Sequence, residues 1–121
     1  MIRHELLGDR GILIVKPEDA LRAEDFAALA REVDPYIEQH GALKGLVIEA
    51  PTFPGWENFA GLVSHLRFVR DHHRLIRRIA VVSDSTLLAF APKLANHFVS
   101  AEVRAFEAAD RTAALAWIES P

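Results

Sequence analysis

Apolar residues along the chain fall into short continuous runs and longer helical stripes. The runs lie at 12–16 (ILIVK), 45–50 (GLVIEA) and 77–84 (RRIAVVSD). They are rich in β-branched residues, and near-continuous apolar runs of this length are typical of strands buried on both faces of a sheet. The segments at 2–7 and 102–106 predict two further strands.

Four segments with a helical period lie between and after these strands, at 23–40, 57–73, 85–98 and 111–119. In the first, the apolar stripe consists of Phe26, Leu29, Ala30, Val33, Tyr36, Ile37 and His40. In the second, it consists of Phe59, Leu62, Val63, Leu66 and Val69. These stripes are predicted to face the sheet. Phe68 lies on the other side of the second helix and is predicted to be exposed.

The resulting element order, ββαβαβαβα, predicts an α/β fold. Strands that alternate with helices form mostly parallel sheets with right-handed crossovers. The first two strands are joined by the turn Gly-Asp-Arg-Gly (8–11), which predicts an antiparallel hairpin. We therefore expect one domain over 1–121. Its five-stranded, mostly parallel sheet has an antiparallel first strand and is flanked by four helices.

Composition narrows the class of protein. The 121 residues suit a single domain, and the absence of cysteine excludes disulfides, thiolate metal sites and cysteine catalysis. A net charge of −3 disfavours general nucleic-acid binding. No apolar run approaches the ~18 residues of a membrane span, and the first ten residues lack a signal-peptide pattern. We expect a soluble cytoplasmic domain without an integral membrane segment.

Several local motifs, in their order and spacing, resemble the SpoIIAA-like family of small bacterial STAS-type domains. They are Gly55-Trp56, RIAVVSD (78–84), AEVRAFE (101–107) and ALAWI (114–118). Together they extend over nearly the whole chain. The resemblance implies a five-stranded sheet flanked by four helices, a topology shared with the CRAL-TRIO lipid-transfer fold. It implies a fold and not an activity, because one fold serves many functions.

One segment departs from the STAS pattern. Anti-sigma-factor antagonists of this class have an Asp-Ser-Ser-Gly-type phosphorylation motif where the central strand meets its helix. Here the same place reads APTFPGW (50–56), in which Thr52 is the only hydroxyl residue. The sequence therefore argues against a phosphorylation switch of that kind.

The loop after the third strand is the first candidate site. In open α/β sheets, ligands bind beyond the carboxyl ends of the strands, and the loop 51–59 follows such an end. Phe53, Trp56 and Phe59 supply apolar area there, and Glu49 ends the buried strand. Two interpretations stay open. The loop is the wall of a pocket for a small apolar or lipid-like ligand, or it is a lid that seals the core.

The second candidate site is a basic helix. Arg67, Arg70 and Arg74 recur at i, i+3 and i+7 and share one side of the second helix, with Phe68 predicted to be exposed beside them. The first sixty residues contain six Lys/Arg against eleven Asp/Glu. An acidic first helix and a basic second helix are complementary across a symmetric dimer. The alternatives are a site for anionic head groups or an acidic protein partner, and a plain solvated face.

Motifs of known enzymes do not occur in the sequence. GxSxG, P-loop, GxGxxG and HExxH patterns are all missing. We predict a non-enzymatic protein-interaction or regulatory domain of STAS type that forms a homodimer and uses no cofactor or metal. One alternative is a carrier or sensor of a small apolar ligand bound beside the 51–59 loop. The other is a hydrolase that uses Glu49 or a histidine.

Overall fold

The computed structural model describes residues 2–50, 59–83 and 102–120. Its elements are β1 (Ile2–Leu7), β2 (Ile12–Pro17), α1 (Ala23–His40), β3 (Leu43–Glu49), α2 (Phe59–His72), β4 (Ile76–Ser83), β5 (Glu102–Glu107) and α3 (Arg111–Glu119). Each agrees with its predicted element to within two residues at either end. The helix predicted at 85–98 lies outside the described residues.

The five strands form one sheet in the order β1-β2-β3-β4-β5. β1 is antiparallel to β2, with Ile2 opposite Pro17 and Leu7 opposite Ile12. The other neighbouring strands are parallel. The predicted α/β class, the mostly parallel sheet and the antiparallel first strand are therefore confirmed. β3 and β4 lie inside the sheet, which explains their nearly continuous apolar runs.

One face of the sheet is covered by α1 and α2, and we call it the two-helix face. α1 continues without interruption through Pro35 and ends before Gly41, the predicted stop. The buried residues of α1 are Phe26, Leu29, Val33 and Ile37, which confirms the core of its predicted stripe. The buried core of this face consists of Leu13, Val15, Leu21, Phe26, Leu29, Val33, Ile37, Leu43, Leu46, Ile76, Ile79 and Val81.

The opposite face, called here the α3 face, is covered by α3 in the described part of the chain. Its core consists of Ile12, Ile14, Val47, Ala80, Val82, Phe106, Ala114 and Ile118. Gly45 of β3 lies directly beneath the helix. A Cβ atom at this position would come within 2.3 Å of the side chain of Ile118. The missing side chain at position 45 is therefore what lets α3 rest on the sheet.

α2 is rotated about its axis relative to the sequence prediction. Leu66, predicted to face the sheet, is 51% exposed. Phe68, predicted to be exposed, packs against the core of the two-helix face. The side of α2 that meets α1 and the chain before it consists of Gly61, His65, Phe68 and His72. The hydropathy pattern missed this side because glycine and histidine do not count as apolar residues.

The contact between α1 and α2, which we call the helix seam, is built from stacked rings. Phe26 stacks on His65 with ring centroids 5.1 Å apart and meets Phe68 at 6.0 Å. Phe68 stacks in turn on His72 at 4.0 Å. A Cβ atom at Gly61 would lie 2.5 Å from the carbonyl oxygen of Leu21, so the backbones approach closely there. Ring stacking and this close approach set the rotation of α2.

Candidate functional site

Glu49, predicted to face a ligand, contacts two cations of neighbouring elements. Its carboxylate oxygens lie 3.1 and 3.2 Å from Nε of Arg111, and 3.6 Å from Nζ of Lys16. The Glu49 side chain is 24% exposed. The acid thus links the first residue of α3 to the carboxyl ends of β2 and β3. Its charge is engaged in an architectural contact in this structure.

The carboxyl ends of β3 and β4 are also joined by hydrogen bonds beyond Glu49. The backbone N–H of Ala50 donates to the carbonyl oxygen of Val82 at 3.1 Å. The hydroxyl of Ser83 donates to the carbonyl oxygen of Ala50. Ser83 is 1% exposed, so its hydroxyl is shielded from solvent. In the described part of this edge, polar groups are therefore satisfied by the protein itself.

The aromatic residues of the first candidate site cannot be placed beside Glu49. Phe53 and Trp56 lie outside the described residues, as does the side chain of Phe59. That they line a pocket or seal the core stays a prediction. The structure brings none of them into contact with Glu49 among the atoms it describes.

The structure agrees with part of the second candidate site. Arg67 is exposed on α2, and Arg74 is exposed in the short 3₁₀ helix His73–Leu75 that follows α2; neither has an ion-pair partner among the described residues. Nε of Arg70 donates to Asp71 at 3.0 Å. Phe68 is turned inward, and the exposed apolar residue is Leu66 instead. We call Leu66, Arg67, Arg70 and Arg74 the α2 patch.

Leu66 is the exposed apolar residue that the sequence analysis missed. Leu66 and Phe68 are two positions apart and so lie on roughly opposite sides of a helix. Only one of them can face the core. Hydropathy favoured Leu66 because it aligns with Phe59, Leu62 and Val69. The sequence did contain a signal for the other orientation. Phe68 lies on the same side of the helix as Gly61, where the backbone of α2 approaches the backbone at Leu21.

The outer side of α1 is acidic. Glu24, Glu32 and Glu38 are exposed and have no ion-pair partner among the described residues, while Arg31 lies among them. Asp25 has a different role, since it accepts the backbone N–H of Arg22 at 2.9 Å at the helix start. Because α1 and α2 are neighbours on one face, this acidic side and the α2 patch form a single surface with two oppositely charged halves.

His72 is a buried polar residue of the helix seam, with an exposure of 7%. Its Nδ1 lies 2.8 Å from the carbonyl oxygen of Phe68, and its Nε2 lies 2.6 Å from Oδ1 of Asp34. Both contacts run to oxygen atoms, one in the preceding turn of α2 and one on α1. His72 therefore joins α1 to α2. No group of three or more metal-ligating side chains occurs within 2–50, 59–83 and 102–120.

These features define a small α/β domain with a mixed five-stranded sheet and an exposed, charged two-helix surface. The model of the SpoIIAA-like family matches residues 12–119. The chain belongs to the SpoIIAA-like family of STAS-type domains, which confirms the resemblance carried by the sequence motifs. Comparisons with curated proteins and with solved structures gave no match. None of the helices in the described ranges combines the length and hydropathy of a bilayer span.

Proposed function

We propose that the chain is a non-enzymatic protein-interaction domain that associates with a second copy of itself through the outer surface of α1 and α2. The observation that carries the proposal is Leu66, which is 51% exposed within the α2 patch. An apolar anchor surrounded by arginines has the composition of a protein interface, in which Arg is enriched and a polar rim encloses apolar contacts.

The charges favour a twofold arrangement. The acidic side of α1 and the α2 patch lie side by side in one molecule, so a 180° rotation of a second copy places each α2 patch on the partner's α1. Both contacts are then attractive. A contact between two α2 patches would instead bring like charges together. Complementary charges of this kind orient the partners and accelerate association.

The size of the surface predicts a weak dimer. α1 has 18 residues and α2 has 14, which correspond to about 27 and 21 Å of helix. Two helices about 10 Å apart therefore offer on the order of 500 Å² per copy. This area lies at the low end for stable protein interfaces. Because most of the contact is between exposed charges, we expect the dimer to weaken as salt is added.

Two polar groups that acid–base chemistry could use are engaged in structural contacts. Glu49 pairs with Arg111 and Lys16, and His72 pairs with Asp34. A hydrolase would need a second polar group that converges with Glu49 on an open cleft. The groups that contact Glu49 are two cations, Arg111 at the start of α3 and Lys16 of β2. This arrangement supports an interaction role over a hydrolase.

The oligomeric state tests the proposal directly. We expect sedimentation velocity over a range of protein concentrations to detect a monomer–dimer equilibrium in the wild-type chain. Leu66→Asp should weaken the dimer at least tenfold without lowering the melting temperature, because Leu66 is exposed. Leu66→Met, which keeps the apolar anchor, is the matched control. A wild-type chain that stays monomeric at every concentration would contradict self-association.

A charge-reversal pair tests the geometry. One variant combines Arg67→Glu with Arg74→Glu in the α2 patch, and the other combines Glu32→Lys with Glu38→Lys on α1. Each variant alone should lose the dimer, since both of its contacts become repulsive. Mixing the two should restore a heterodimer, because both contacts become attractive again. If each variant dimerises as the wild type does, the dimer does not use this surface.

Two other kinds of partner stay predictions. An acidic protein would bind the same α2 patch, and the variant with Arg67→Glu and Arg74→Glu would lose binding of that protein as well as the dimer. The apolar-ligand carrier depends on Phe53 and Trp56, which lie outside the described residues. Native mass spectrometry of the purified chain would detect such a ligand as a dissociable mass of a few hundred daltons.

A further inference from the structure

Two shallow depressions lie at the amino end of the parallel strands, away from the surface proposed for self-association. The larger has a volume of about 300 Å³ and includes Arg10, Tyr36 and His40 in its lining. The smaller has a volume of about 150 Å³ and is lined by Arg78 and the end of α3. Lys44 and Arg77 line both depressions, and so stand at their common border.

Lys44 and Arg77 occupy matching positions on neighbouring parallel strands. The pairs Leu43–Ile76 and Gly45–Arg78 on either side of them are in register, so the two cations lie beside each other. Both are exposed, and neither side chain has an ion-pair or hydrogen-bond partner among the described residues. Like charges placed side by side on adjacent strands destabilise a sheet. Among the described residues no side chain pairs with either cation, although Glu119, the partner of Arg10, also lines the smaller depression.

The other cations at this end have architectural contacts. Nη1 of Arg78 donates to the carbonyl oxygens of Trp117 and Ser120 at 2.6 and 2.9 Å, and so binds the end of α3. Arg10 pairs with the carboxylate of Glu119. Lys44 and Arg77 take no part in holding α3. Their positive charge is therefore available to a ligand.

The surroundings favour a small anion over an extended one. The ring of Tyr36 stacks on His40 at 4.2 Å, and its hydroxyl donates to the carbonyl oxygen of Gly8 at 3.0 Å, which gives the larger depression a rigid wall. His40 adds a ring N–H at the edge. Asp9 lies on the same rim and would repel a second negative group there. The attractive part of the site is thus confined to the region of Lys44 and Arg77.

We infer that Lys44 and Arg77 form a binding site for a doubly charged oxyanion of the phosphate type, free or as a small phosphomonoester. A guanidinium group can donate two parallel hydrogen bonds to such an oxyanion, and an ammonium group adds a point charge beside it. Binding relieves the repulsion between the two cations. The site lies at the other end of the sheet from Glu49 and uses none of the four residues of the α2 patch.

A titration followed by ¹H–¹⁵N NMR tests the site. Inorganic phosphate is added while sodium chloride is withdrawn, so that ionic strength stays constant. We expect saturable shifts of the backbone amides of Lys44, Gly45 and Arg77. A parallel titration with phenyl phosphate asks whether a monoester binds as well as the free ion. If sodium chloride alone produces equal shifts of these amides, the shifts arise from charge screening and the inference is wrong.

A matched pair of double variants makes the test specific. Lys44→Gln with Arg77→Gln removes two positive charges from the site, and should weaken phosphate binding at least tenfold. Arg67→Gln with Arg70→Gln removes two positive charges from α2, and should leave phosphate binding unchanged. Equal weakening in both would overturn the inference in favour of a general charge effect. Arg77→Gln alone serves if the first double variant does not fold, and it should weaken binding while retaining the wild-type amide dispersion.

Discussion

The two faces of the sheet hold their helices in different ways. On the two-helix face, α1 and α2 support each other through the helix seam, where Phe26, His65, Phe68 and His72 form a series of ring contacts. On the α3 face, a helix of nine residues lies on the sheet without a second helix in the described part of the chain. The comparison indicates that α1 and α2 are joined through side-chain rings, whereas the described contacts of α3 are close packing on the sheet and charged groups at its two ends.

Both ends of α3 are contacted by charged residues of other elements. At its start, the carboxylate of Glu49 lies near the positive end of the helix dipole. At its end, Arg78 donates to the carbonyl oxygens of Trp117 and Ser120, and Arg10 pairs with the last residue of the helix. These contacts satisfy carbonyl groups that have no partner within the helix, and the charges of Glu49 at the start and of Arg78 and Arg10 at the end have the sign that the dipole favours. Glu49, which suggested ligand binding in the sequence, therefore contacts the start of a helix.

Removing the Phe68 ring should destabilise the two-helix face, and this is the largest change in the free energy of unfolding that we expect. Phe68→Ala should lower the free energy of unfolding by about 2–4 kcal/mol, because the ring packs on the core and on two seam residues. Leu66→Ala should change it by less than about 0.5 kcal/mol, since Leu66 is exposed. Urea unfolding at low protein concentration measures both without a contribution from self-association. The hydropathy pattern predicts the reverse order, so a larger loss in Leu66→Ala would restore the orientation rejected here.

Gly45→Ala tests the α3 face and is the next largest change. The added Cβ atom would lie within 2.3 Å of the Ile118 side chain, so α3 must shift. Overpacking of this kind costs about 1–3 kcal/mol in free energy of unfolding. Gly8→Ala is the control, because a Cβ atom at Gly8 meets nothing within 4 Å. If both variants are equally stable in urea, Ile118 repacks freely and close contact does not hold α3.

Glu49→Gln tests the charged start of α3 and should have the smallest effect. Partly exposed ion pairs contribute little, so we expect a loss of about 0.5–1 kcal/mol. Glu18→Gln removes a more exposed pair, with Arg3, and should cost less. A double-mutant cycle of Glu49→Gln with Arg111→Gln isolates the pair. Coupling that persists at about 1 M salt would contradict a simple ion pair, because screening should remove it.

Much of the fold could be predicted because its elements have clear local patterns. β2, β3 and β4 are apolar runs bounded by polar residues or turns, and α1 has a wide apolar stripe that ends at a glycine. The rotation of α2 could not be predicted in the same way. Leu66 and Phe68 compete for the core with similar hydropathy, and the choice depends on Phe26 of another helix and on the close approach at Gly61.

For the candidate sites too, the sequence predicted local positions but not long-range contacts. The sequence placed Glu49 at the carboxyl end of a buried strand, and this position is confirmed. Its partner Arg111 is 62 positions further along the chain, and no local pattern predicts such a pair. Arg67, Arg70 and Arg74 were predicted on one side of the second helix; the structure has Arg67 and Arg70 exposed on α2, whereas Arg74 follows its end at His72. Their neighbour Leu66 was missed, because the rotation of the helix was wrong.

The sequence by itself determined the element types, their order, the α/β class and the SpoIIAA-like family, since these depend on residues that are close together in the chain. Only the tertiary structure decided which side of α2 is buried, that Glu49 contacts the start of α3, and that Lys44 and Arg77 lie side by side without partners among the residues that the structure describes. Hydropathy ranks a residue by its own side chain and its neighbours. Burial and pairing are set by atoms that folding brings from distant positions, and these contacts are absent from any local pattern.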